Sequence, residues 1–173
     1  MVYRFVIISA EDESFLREFE LDGTNTLMDF HYAIQEELDF DMSQIASFFT
    51  VSSEWEKGEE FTIFDMGTNT SVMEEAMIED VIIEKNQKLL YVFDHFNERS
   101  LFIEMVGKRE YIEGREYPVC TKSQGKPPLQ VVFKSSSFID PYDMHGNEYG
   151  DDPAMDDDIT MLGLDSIEDI EDL

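Results

Sequence analysis

The chain has 173 residues, with 12 Lys and Arg against 40 Asp and Glu, a formal charge of −28 and a single cysteine. Nucleic-acid backbones and anionic membrane surfaces both demand clustered cations, so direct binding to either is disfavoured. No stretch approaches the ~18 uninterrupted apolar residues of a membrane-spanning helix. Cys120 alone cannot form an intrachain disulfide, and a reducing cytoplasm is the expected compartment.

Taken in order, Val2 to Ile8 is a strongly apolar strand whose one charge is Arg4, which places it at or near the centre of a sheet. Phe15 to Leu21 alternates Phe15, Phe19 and Leu21 with Glu18 and Glu20, as a half-exposed strand does. The amino terminus therefore reads as a hairpin and not as a leader. Thr26 is a good N-cap, and Asp29 stands at capping-box spacing, so a helix begins there. Leu27, Phe30, Ile34 and Leu38 form its apolar face, with His31 on the border.

After Asp41 the period changes. Ser47 to Ser52 and Glu60 to Asp65 read as two strands of a hairpin, with Gly58 available for a positive φ and Trp55, the only tryptophan, at the tip. Thr68 to Ser71 reads as a polar loop and Met77 to Glu84 as a short second helix. Lys88 to Asp94 and Ser100 to Val106 form a further hairpin, Gly107 to Gly114 is charged and turn-like, and Leu129 to Phe133 is a last short strand after Pro127-Pro128. The fold class is α+β: a roll-like mixed sheet, with the N-terminal hairpin wrapped on one main helix and a second short helix.

From Asp140 onward there are 13 acidic residues and no Lys or Arg, which leaves 27 acidic and 12 basic residues before it, a net of −15. The expected division is a folded domain over residues 1–134 and an acidic, flexible tail over 135–173. Met161, Leu162, Leu164, Ile167, Ile170 and Leu173 recur among the tail's acids, a pattern suited to docking in a groove, although a purely solubilising tail fits equally. Lys122, Lys126 and Lys134 stand free of acids between Tyr117 and Ile139, next to Lys108, Arg109 and Arg115. They form a patch that would dock the tail in cis or an anionic partner in trans.

Chemistry finds no assembled motif. His31, His95 and His145 are far apart, one cysteine cannot build a thiolate cage, and the acidic segment before Gly146 lacks the order of a calcium loop. There is no GxxxxGK[ST], GxGxxG or GxSxG run. No metal, no cofactor and no catalytic residue is expected. The candidate interaction residues are Trp55, His31, Lys122, Lys126, Leu164, Ile167 and Ile170.

The run Thr26-Leu27-Met28-Asp29-Phe30-His31 with Ile34-Gln35, then Ser47-Phe48-Phe49, Trp55-x-x-Gly58, Leu90-Tyr91-Val92-Phe93-Asp94, Pro118-Val119-Cys120 and Pro127-Pro128, resembles the Ri-plasmid open-reading-frame-three-like family, also described as transposon passenger proteins. The resemblance covers about residues 2 to 130 and is nearest to an acidic-tailed branch from Bacteroidota. It implies an α+β roll and association with mobile elements, and no established activity. Many relatives carry Asp-Phe-Gly-Asp with Trp and His where this chain has Asp94-His95-Phe96-Asn97-Glu98-Arg99.

Three functions are compatible with this reading. The first is a non-enzymatic cytoplasmic interaction or accessory protein with a protein partner, a basic protein being one candidate. The second is a DNA-mimicking antagonist of a basic DNA-binding protein. The third is a hydrolase or small-ligand binder with a cleft near His31 and Trp55, to which His95 and Cys120 would contribute.

Overall fold

The structure, a computed structural model, describes residues 1–67 and 70–131. The boundary near residue 134, the acidic tail with Leu164, Ile167 and Ile170, and the docking of that tail lie outside the described residues.

The strands are β1 (Val2–Ser9), β2 (Leu16–Asp22), β3 (Ser47–Val51), β4 (Lys57–Thr62), β5 (Thr70–Val72), β6 (Lys88–Asp94), β7 (Arg99–Arg109) and β8 (Val119–Gln124); the helices are α1 (Leu27–Leu38) and α2 (Ile78–Val81). They build one eight-stranded sheet in the order β5-β4-β3-β6-β7-β1-β2-β8. Every pairing is antiparallel except β4 with β5, so the sheet is mixed and the fold α+β.

Alternation sorts the two faces. Tyr3, Phe5 and Ile7 of β1, Phe19 and Leu21 of β2, Phe48 of β3, Leu89, Tyr91 and Phe93 of β6, and Leu101, Ile103 and Met105 of β7 all enter one core with α1. The helix contributes Leu27, Phe30, Ile34 and Leu38, at the spacing expected. Phe30 is the hub: its ring lies 5.1 Å from Phe5, 5.6 Å from Phe19 and 5.6 Å from Phe48. One helical side chain thus joins the neighbouring strands β1 and β2 to β3, which β6 and β7 separate from them in the sheet order.

The capping box forms as the spacing predicts. Asp29 N donates to Thr26 Oγ1 (3.1 Å) and Thr26 N donates to Asp29 Oδ2 (2.8 Å). The helix start is also tied to the entry of α2: Leu27 N donates to Ala76 O and Ile78 N to Asn25 O, both at 2.8 Å.

Arg17 fixes the far corner of the sheet. It points to the core side and is almost fully buried. Its Nη1 donates to Gln124 O at 2.6 Å, and its Nη2 donates to Gly125 O at 3.3 Å. Its Nε lies 2.9 Å from Glu37 Oε1 of α1, an ion pair without hydrogen-bond alignment. Gly125 adopts φ +71, and a Cβ there would stand 2.5 Å from Ser14 O, so the turn after β8 requires glycine.

Several local expectations change. The polar stretch read as a loop runs into β5, because Thr70 to Val72 pair in parallel with Glu60 to Thr62. The second helix is one turn long, and Ile82 leaves the helix to bury its side chain. The last strand among the described residues is β8, and Leu129 to Val131 are not in a strand; Val132 and Phe133 lie outside the described residues. In the β3–β4 hairpin the positive φ belongs to Trp55 (66°) and not to Gly58. Gly58 is needed for space instead, since a Cβ would meet Thr50 Oγ1 at 2.8 Å.

Candidate functional site

His31 lies wholly inside the core, 1% exposed. Its Nδ1 is 2.8 Å from the Tyr91 hydroxyl, which accepts from Gln35 Nε2 at 2.6 Å. Burial disfavours the imidazolium and holds the His31 pKa down to about 4, so the ring is neutral and Nδ1 accepts the Tyr91 proton. Burial in turn raises the Tyr91 phenol, against a smaller opposing effect from Gln35. The trio fastens α1 to the middle of β6 and reaches no surface.

Trp55 is on the opposite side of the sheet. Alternation along β7 places Leu101 and Ile103 in the core and Phe102 outward, and the Trp55 indole packs edge-on to Phe102 at 4.8 Å. Lys88 Nζ sits 4.6 Å over the indole. The tip of the hairpin therefore folds back over the outer face and not over the core. His95 is exposed on the loop after β6, 3.3 Å from Ser47 Oγ. Cys120, on β8, packs against the core from the side of Glu37; burial first and Glu37 second push its thiol up to about 11. A thiol so raised is a poor nucleophile at neutral pH. The cleft imagined around His31, Trp55, His95 and Cys120 is not built, because the sheet separates His31 from Trp55.

Among the described residues, concave places occur towards both ends of the sheet. The first is an apolar groove of about 520 Å³ between β3, β4 and the segment after β4, lined by Ile45, Ser47, Glu60, Thr62, Ile63, Phe64, Met66, Thr70 and His95. Ile45, Phe64 and Met66 are 64%, 65% and 67% exposed. Thr62 Oγ1 donates to Phe64 O at 2.6 Å and so shapes the turn that presents Phe64. Beyond the shared Thr70, a neighbouring hollow carries Glu59, Asp65, Glu75 and Asp80 and no cation.

The second is a bowl of about 440 Å³ on the outer face at the other end of the sheet, lined by Arg4, Glu18, Glu20, Arg109, Arg115, Thr121 and Lys122. Glu20 is its floor, 5% exposed. Arg109 hydrogen-bonds Glu20; Arg115 Nη2 is 3.5 Å and Arg4 Nε 3.9 Å from the same carboxylate. Glu18 meets Lys122 at 3.5 Å and Arg4 at 3.8 Å.

Of the cations singled out in the sequence, Arg109, Arg115 and Lys122 come together here, whereas Lys126 does not line the bowl. Arg4 and Glu20 were missed. The available signal was Arg4 itself, a lone charge in an apolar strand; register pairs Arg4 with Glu20 across the hairpin. The apolar groove was missed because Ile45 and Met66 fit no strand or helix period, and Phe64 reads as part of the strand Glu60 to Asp65, whereas β4 ends at Thr62 and leaves Phe64 in the turn beyond it. No group of three or more potential metal-ligating side chains gathers among the described residues.

The comparisons with known proteins agree with this architecture. The family model described as plasmid pRiA4b ORF-3-like protein matches residues 2–157. The chain is similar to a solved crystal structure, that of the protein of unknown function MM3350 from Methanosarcina mazei Go1. The TM-score is 0.61 at 21% identity, over 70% of this chain and 68% of that one. That likeness speaks for the fold alone. No curated protein matches.

Proposed function

The chain belongs to the plasmid pRiA4b ORF-3-like family, and we propose that it is a non-enzymatic interaction module, an accessory protein of mobile elements that acts in the cytoplasm by binding a protein partner. The observation that carries this reading is the apolar groove at Ile45, Phe64 and Met66. Three large side chains, each about two-thirds exposed, converge on one concavity. Covering an apolar side chain of this size contributes roughly 1.5–3 kcal/mol, and contiguous exposed apolar surface marks contact sites.

The groove also states what it would take. Glu60 is in its wall, Asp65 stands between Phe64 and Met66, and the chain as a whole carries −28. The complementary occupant is an amphipathic segment with apolar anchors flanked by Lys or Arg. This is the surface of a basic protein. The hollow with Glu59, Asp65, Glu75 and Asp80 supports the related reading of a DNA-mimicking antagonist, in which these carboxylates occupy the partner's phosphate-binding surface.

A synthetic lysine–leucine amphipathic peptide tests the groove. Titrated into the full chain, it should shift the amides of Ile45, Phe64 and Met66 saturably. Phe64→Ser with Met66→Ser should weaken binding by about tenfold or more while the remaining spectrum is unchanged. Binding that is identical in the double variant, or shifts spread evenly over all surface carboxylates, would defeat the proposal.

A further inference from the structure

We propose that the bowl formed by Arg4, Arg109, Arg115 and Lys122 is a binding site for a multivalent phosphate-class oxyanion. Four cations and two carboxylates line it, a local charge of +2 in a chain of −28. Each of the four has a carboxylate within 3.9 Å, but only two carboxylates, Glu18 and Glu20, serve all four. Here four converge on one concavity and outnumber the acids beside them.

Donor arithmetic separates a closed ion-pair network from an open site. Three guanidinium groups and one ammonium offer about 18 N–H donors, whereas two carboxylates accept about eight. Only the Arg109–Glu20 contact is a hydrogen bond. The other pairs stand at 3.5, 3.5, 3.8 and 3.9 Å, beyond the ~2.7–2.9 Å of a charge-assisted hydrogen bond. Arg4, Arg115 and Lys122 thus retain donors that the carboxylates do not take up, and all three are between one-third and one-half exposed at the mouth.

Glu20 has a specific part in this. It is buried at the base and touches Arg4, Arg109 and Arg115 at once. It holds the arginines in place before a ligand arrives, which lowers the ordering cost on binding. Arg115 is further braced against the Tyr117 ring at 5.8 Å. Phosphate suits the arrangement because its oxygens match the planar guanidinium fork, and several donors can be satisfied together. The field of the whole chain opposes an anion at long range, but exposed charges are screened over ~8 Å at physiological ionic strength, so the four nearby cations prevail at the site.

The test uses the full chain at pH 8, where a phosphate monoester is dianionic. Inorganic phosphate, pyrophosphate and a phosphoserine peptide are titrated separately, each against chloride at matched ionic strength, and followed by amide shifts. Saturable shifts at Arg4, Arg115, Thr121 and Lys122 are expected, with pyrophosphate tighter than phosphate. Arg115→Gln and Lys122→Gln should each weaken binding about tenfold. Arg4→Gln, on a half-exposed side chain, provides a third variant should either of these disturb the fold. Tighter binding of the peptide than of pyrophosphate assigns the phosphate to a protein, and the reverse order assigns it to a small molecule. Shifts no larger than those from chloride, or equal affinity in the three variants, overturn the proposal. Phe64→Ser should leave phosphate binding unchanged, so this site and the apolar groove fail or survive independently.

Discussion

The sheet has two halves that share a core and differ on the outside. At one end, β5, β4, β3 and β6 expose Ile45, Phe64 and Met66 next to carboxylates. At the other, β7, β1, β2 and β8 gather Arg4, Arg109, Arg115 and Lys122. On the inner side the two ends are alike: Phe5 and Phe19 from one, Phe48 and Tyr91 from the other, all within reach of Phe30 or of one another. The difference teaches that one residue of α1, Phe30, can tie both ends of the sheet into a common interior, while each outer surface is free to carry its own chemistry. One surface leaves apolar area uncovered; the other leaves hydrogen-bond donors in excess.

That comparison can be broken most forcefully at its shared centre. Phe30→Ala should cost roughly 3–5 kcal/mol, because a large fully buried ring is lost and the cavity cannot fully collapse. Chemical denaturation monitored at both ends should show one coincident transition moved to lower denaturant. Separate transitions for the two halves would show that Phe30 does not unite them.

Acid probes the same centre more gently. The unfolded chain protonates His31 near 6.5, while the folded chain resists until about 4. A histidine depressed in the folded state contributes stability that is full above the unfolded value and lost as pH falls. The loss should therefore run from about pH 6.5 down to about pH 4 and amount to roughly 3 kcal/mol. His31→Gln should flatten the slope of unfolding free energy against pH in that window. An unchanged slope would remove His31 from the account.

The next effect falls on the cationic half alone. Glu20→Gln should destabilise by roughly 1–3 kcal/mol, since it leaves three arginines facing one another around a neutral amide. High salt should restore part of that loss by screening, as a melt with and without added chloride would reveal. The smallest effect is expected in the apolar half. Phe64→Ser should alter stability by no more than about 0.5 kcal/mol, because the ring is already in solvent. A larger loss would mean that Phe64 supports the fold and is not held out for a partner.

The elements legible in the sequence were those whose signal is local. β1, the β6–β7 hairpin, α1 and its Thr26–Asp29 cap all follow from period and capping chemistry. β5 and β8 were not legible, because Thr70 to Val72 and Val119 to Gln124 are short, largely polar edge strands. β5 exists because the chain from β4 returns beside it, and β8 because β2, about a hundred residues earlier, offers a free edge. The apolar run at Leu129 promised a strand locally, but no edge takes up Leu129 to Val131. For the candidate sites the same rule holds. Lys122 and Arg115 were visible as cations, but only the register of β1 with β2 brings Arg4 and Glu20 beneath them. His31 was visible as a border residue of α1, and its neutrality follows from Tyr91, sixty positions away.

Arg17 has a consequence for how the molecule comes apart. Its guanidinium holds the end of β8 through Gln124 and Gly125 and holds α1 through Glu37. Peeling away the edge strand alone would take Gln124 O and Gly125 O from a buried cation and leave it only Leu16 O of its own strand. Loosening the helix alone would strip the same cation of its counter-charge. Fraying at this margin is thereby coupled to release of the helix, and the β8 amide protons that bond to β2 should exchange with the slow kinetics of the interior rather than the rapid kinetics customary for a sheet border.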